Sequence, residues 1–185
     1  MTPRPLRQDA ARRREDILRA AHEVFSTQGL DAPLEAIAER AGVGRATLYR
    51  NFPERKQLAI AVLVDEMERL ADWTRAQGEG PEVFFAFLDQ LNDMLARNAG
   101  LRDVLHSERS PEALAPLRRA LIRAGAEPLA RAQAAGLVRP DLQPDDIRVL
   151  AAVLGASFPG VADEEHARMD ERRRALVLDG LRVRP

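Results

Sequence analysis

Residues 45 to 56, RATLYRNFPERK, set four cations beside hydroxyl and amide groups within one short segment. Arg45, Arg50, Arg55 and Lys56 carry positive charge, and Thr47, Tyr49 and Asn51 carry hydrogen-bonding groups. Such a mixture suits phosphate oxygens, and an arginine can also bind guanine O6 and N7 bidentately. The other chemistries lack their residues. His22, His106 and His166 lie far apart and make no H-x-x-x-H or H-E-x-x-H pair, and neither a glycine-rich phosphate loop nor a nucleophile elbow is present. Without a cysteine there is no thiolate ligand, disulfide or thiol redox centre. Asp145-Asp146 and Asp163-Glu164-Glu165 fall at predicted helix starts, where acids complement the helix dipole. The chain therefore reads as neither an enzyme nor a metalloprotein, and no cofactor is expected.

Two short helices must position the cationic segment. Leu34, Ile37, Ala38 and Ala41 fall at i, i+3, i+4 and i+7, a single apolar stripe. Pro33 is placed at the start of that helix and Gly42 at its end, since proline is tolerated at the first helical position and glycine accepts the left-handed conformation that closes a helix. After Val43 and Gly44 a second helix buries Leu48 and Phe52 at i, i+4 and leaves Arg45, Ala46, Thr47, Tyr49 and Arg50 on its other faces. A preceding helix ends near Thr27, with Ile17, Leu18, Ala21, Val24 and Phe25 on its apolar face and Gly29 beyond it.

Charge is distributed to match. The chain has net charge −1. Residues 1–56 hold 11 Lys/Arg against 8 Asp/Glu, net +3, and the remainder 17 against 21, net −4. Arg4, Arg7, Arg12, Arg13 and Arg14 make the amino terminus a basic arm suited to phosphates beside a docked helix, Arg14 being the arm residue nearest the motif. The plainer reading of such a run is a solvated face.

The stretch Ile37-Ala38-Glu39-Arg40-Ala41-Gly42-Val43-Gly44, followed by Thr47-Leu48-Tyr49-Arg50-Asn51-Phe52-Pro53-Glu54-Arg55, closely resembles the DNA-binding domain of TetR/AcrR-family regulators. The resemblance covers about the first 75 residues and continues beyond them as a match of architecture; the wording GVGRATLYRNFPER looks most like the SbtR-like branch. It implies that Arg45, at the groove-facing end of the recognition helix, reads a base or contacts a phosphate. It also implies that Thr47, Tyr49 and Arg55, with Lys56 adjoining, bind phosphates, and that Asn51 stands where a backbone-contacting histidine is frequent. For Tyr49 the alternative is helix packing. Four positions depart from the pattern. Gly44 replaces a capping serine, Ala32 and Pro33 replace a hydroxyl pair, and Glu35 replaces a basic or polar residue, so the helix from Leu34 is expected to contribute less to DNA binding.

An all-α fold follows from the abundance of Ala, Leu, Arg and Glu and from the absence of an alternating strand pattern. Its expected form is an N-terminal three-helix helix-turn-helix domain, residues 1–56, joined by a long helix to a C-terminal helical ligand-binding and dimerisation bundle, residues 57–185. Residues 1 to about 8 are expected to be disordered. The long helix, 54–77, is apolar nearly all round at LAIAVLV and is expected to link the two parts mechanically. Further helices are expected over 83–98, 100–107, 111–135 with a kink at Pro128, 144–157 and 164–181. No apolar run is long enough to span a membrane and no leader is visible, so a cytoplasmic protein is expected.

The partners implied are a double-stranded, palindromic DNA operator, a second copy of the chain and an unidentified small-molecule effector. The dimer surface is expected on the two C-terminal helices, from Leu150, Ala152, Leu154, Gly155 and Ala156 with Leu176, Val177 and Leu181. A pocket is expected among Phe84, Phe87, Leu88, Leu91, Met94 and Leu105, for which plain core is the better reading. The rival to a DNA-binding repressor is an interaction or ligand-binding protein on a retained helix-turn-helix scaffold; an activator is the alternative within the same class.

Overall fold

The computed structural model describes residues 4–101, 104, 107–158 and 160–183. Most of the described residues are helical, and among them the extended backbone makes only the isolated bridge of Val138 with Arg182. The all-α expectation holds. The helices are α1 (Arg4–Gln28), α2 (Leu34–Arg40), α3 (Arg45–Asn51), α4 (Arg55–Ala76), α5 (Val83–Arg97), α6 (Pro111–Ala134), α7 (Asp146–Leu154) and α8 (Asp163–Leu181), with a 3-10 turn at Ala99–Leu101. No helix among the described residues is long and apolar enough to cross a membrane.

The backbone forms two compact units, Met1–Glu66 with Gly100–Leu117 and Met67–Ala99 with Arg118–Pro185. Helices α4 and α6 each supply residues to both.

The first unit packs α1, α2 and α3 around one core. Ile17, Ala21, Val24 and Phe25 from α1 meet Leu34, Ile37 and Ala38 from α2, Leu48 from α3, Phe52, and Leu58, Ala59 and Val62 from α4. Helix α1 begins at Arg4, earlier than expected, because Pro5 falls in the first turn, where a missing N–H costs no hydrogen bond. Pro33 precedes α2 rather than opening it: its ψ of 132° is extended, so Leu34 is the first helical residue. At the other end Gly42 adopts φ +65°. The Val43 N–H then bonds the Ala38 carbonyl at 3.0 Å and the Gly42 N–H the Glu39 carbonyl at 3.1 Å, which is a Schellman closure and turns the chain sharply into α3. His22 on α1 lies 3.6 Å from Glu66 on α4.

In the second unit Phe84, Phe87, Leu88, Leu91 and Met94 of α5 are at most 2% exposed and form a filled core. Gly125 of α6 is there because nothing larger fits: a Cβ at that position would lie 2.6 Å from the Phe87 ring and 2.9 Å from Ile147. Helix α6 runs through the buried Pro128 as one element. Of the residues expected on a dimer surface, Leu154 and Leu181 are buried in this unit and Gly155 packs toward Leu95. Leu176 is exposed, as are Ala152 and Ala156. Leu105, expected at a pocket, lies outside the described residues. Arg174 of α8 reaches a neighbouring helix: its Nε donates to Asp89 of α5 at 2.7 Å, and that pairing raises its pKa above the ordinary arginine value.

Candidate nucleic-acid interface

Helix α3 has two faces. Leu48 is 1% exposed and Phe52, just past the helix, 3%, so the i, i+4 pair faces the core and fixes the rotation of the helix. That rotation leaves Arg45, Ala46, Arg50 and Asn51 exposed, Thr47 half-buried and Tyr49 42% exposed. Tyr49 is therefore not a core aromatic. Gly44 caps α3 without a side chain; its carbonyl accepts from the Thr47 N–H at 2.9 Å and the Leu48 N–H at 3.2 Å.

The outward groups are tied to one another. Arg50 Nη2 donates to Thr47 Oγ1 at 3.2 Å, and Asn51 Nδ2 donates to the Thr47 carbonyl at 2.8 Å. These bonds hold cation, hydroxyl and amide in register along one face. A hydroxyl that accepts from a guanidinium still has its own proton to give to a phosphate oxygen. Lys56 is exposed at the start of α4.

Three contacts around α3 were not visible in the local pattern. Arg45 Nη1 lies 3.8 Å from Glu35 Oε1, with the two side chains 73% and 41% exposed. The Arg14 guanidinium stacks 4.6 Å from the centroid of the Phe52 ring, a cation–π contact. Arg55 is half-buried, and its Nη1 donates to the carbonyls of both Leu30 and Ala32 in the α1–α2 connection. Within the basic arm, Arg12 and Arg13 are exposed like Arg14; the side chains of Arg4 and Arg7 lie outside those described. A short helix standing out from a three-helix core, with two arginines, a tyrosine and a threonine on its outer face, has the geometry of a recognition helix that enters a major groove.

Residues 17–62 match the bacterial regulatory proteins of the tetR family, and residues 79–183 match the C-terminal domain of SbtR-like transcriptional regulators. The chain belongs to the TetR family. TetR-family proteins are DNA-binding transcriptional regulators, not enzymes, in keeping with the chemistry absent from the sequence. The chain is similar to the crystal structure of a TetR transcription regulatory protein from Mycobacterium vanbaalenii, with a TM-score of 0.63 and 36% identity over 97% of this chain and 100% of that one. An HTH-type transcriptional regulator of Mycobacterium tuberculosis is 30% identical over 128 residues, 66% of this chain and 68% of that protein. Thermus thermophilus FadR, a TetR-family repressor solved in complex with lauroyl-CoA, aligns with a TM-score of 0.61 and 26% identity over 93% of this chain and 96% of that one.

Proposed function

We propose that this TetR-family regulator is a homodimeric repressor that binds a palindromic operator and leaves it when a small molecule enters its C-terminal part. The observation that carries the reading is the two-faced α3, anchored through Leu48 and Phe52 and presenting Arg45, Thr47, Tyr49 and Arg50 outward. In it, Arg45 reads a base; Gly44, Ala46, Thr47, Tyr49, Arg50, Asn51, Arg55, Lys56 and Arg14 contact or flank the backbone. DNA reading is assigned to residues 1–56, and effector binding and dimerisation to 57–185. Thermus thermophilus FadR, holding lauroyl-CoA on a similar chain, supports the small-molecule part.

Dimerisation is supported by a groove of about 690 Å3 on α7 and α8, lined by Val149, Val153, Phe158, Met169, Leu176 and Val177 among others. Val149 is 60% exposed, Val153 42% and Leu176 55%. Contiguous exposed apolar side chains of this size mark a surface that another protein covers. A two-fold partner is the occupant we assign, because two recognition helices must be held about 34–36 Å apart to enter successive major grooves. Release requires only that the effector favour a conformer with a different spacing; taking the equilibrium from 1:99 to 99:1 needs about 5.5 kcal/mol of differential affinity. Helix α4, which supplies residues to both units, is the covalent route for that change. In this reading the protein acts in the cytoplasm, with its operator.

The test is affinity selection of genomic fragments by the purified chain. A recurring site with two-fold symmetry is the expected result, and its position names the regulated genes. Recovery of no common sequence would overturn the reading in favour of an interaction protein.

A further inference from the structure

The ion pair at the α2–α3 corner does not serve stability, since a pair so exposed contributes little to folding. Glu35 lies in the first turn of α2, and Arg45 is the first residue of α3. The Gly42 turn brings these ten-residue-distant side chains to 3.8 Å, at the end of the recognition helix that faces the groove. Arg40, in the last turn of α2, pairs instead with Glu23 on α1.

We propose that Glu35 is a positioning residue that sets base specificity by biasing the Arg45 guanidinium, through its charge, toward an edge-on approach to a guanine. This rests on the reading of α3 as the recognition helix. An arginine free in water samples many rotamers, and ordering one on binding carries an entropic cost. A carboxylate 3.8 Å from Nη1 biases that sampling by charge toward the α2–α3 corner, and leaves the Nε–Nη2 edge for guanine O6 and N7. The negative charge has a second effect. Facing phosphates it is repulsive, so it weakens every docking in which Arg45 is not satisfied by a base, and sequence-independent binding falls. Glu35, which breaks the family pattern, thus gives α2 an indirect role in sequence reading in place of a phosphate contact.

The experiment uses the full chain and its Glu35→Gln variant, which keeps the size of the side chain and removes its charge. Each is put through selection from a randomised duplex library and then titrated against single-base-pair variants of the selected site. The wild type is expected to require a G·C pair at one position per half-site, the position lost in Arg45→Lys, with discrimination of about 5- to 150-fold. In Glu35→Gln that discrimination falls below about 3-fold, the other positions are kept, and random duplex binds more tightly. Retention of the wild-type preference at every position overturns the proposal. So does a uniform loss across all positions, in Glu35→Gln or in Glu35→Ala, which marks a structural role. A wild type that selects no sequence overturns the DNA reading itself, a result distinct from both.

Discussion

The Arg14 guanidinium rests 4.6 Å from the centre of the Phe52 ring, so the basic arm of α1 is fastened to the end of the recognition helix. The ring is 3% exposed and belongs to the core that orients α3. Arg14→Ala removes both the cation and the aliphatic stem that covers the ring. The expected loss is about 0.5–1 kcal/mol of stability for an exposed cation–π contact, read by urea unfolding, together with weaker operator binding. Unchanged unfolding would show that the stacking is incidental.

Arg55 discriminates between two roles. If its work is the clamp on the Leu30 and Ala32 carbonyls, Arg55→Met costs about 1.5–3 kcal/mol for a charge-assisted bond in a part-buried setting. The salt dependence of operator binding should then stay as in the wild type at temperatures where the variant is folded. A phosphate contact would instead lower the slope by about one phosphate's share while leaving the unfolding midpoint in place.

Gly125 should tolerate no side chain. Its Cβ would fall 2.6 Å from Phe87 Cε1 and 2.9 Å from Ile147 Cδ1, and both of these residues are fully buried. Overpacking of this kind costs about 1–3 kcal/mol, so Gly125→Ala should lower the thermal midpoint, whereas Gly180→Ala, where a Cβ meets nothing within 4 Å, should not.

The α7–α8 groove gives a prediction about assembly. Val153→Glu with Leu176→Glu places two carboxylates on the exposed apolar surface. Sedimentation should show the wild type as a dimer and the double variant as a monomer of unchanged helicity, with much weakened operator affinity. A dimer that survives both charges would move the interface elsewhere.

Much of this was legible locally. The Gly42 turn, the burial of Leu48 with Phe52 and the outward Arg45-Thr47-Tyr49-Arg50 face follow from spacing and backbone chemistry within about 20 residues. What escaped was set by contacts between elements. Arg14 finds Phe52, Arg55 finds Leu30, and Arg174 finds Asp89 only after the helices pack, and periodicity within one helix carries no information on which neighbour its outer face meets. Which of the residues expected on a dimer surface turn inward was hidden for the same reason. Leu154 and Leu181 lie on the same helices as the exposed Val153 and Leu176, and only the packing of the second unit decides which of these apolar residues turn inward.

The most direct test is the binding of the selected operator by the wild type and by an Arg45→Ala, Tyr49→Ala double variant, across a series of salt concentrations. The wild type should show a log–log salt slope of about −7, the value for some eight phosphates contacted per dimer, and the double variant should lose operator binding while keeping its helicity and dimer mass. A flat salt dependence, or a double variant that binds the operator as the wild type does, would contradict the assignment of α3 as the DNA-reading helix.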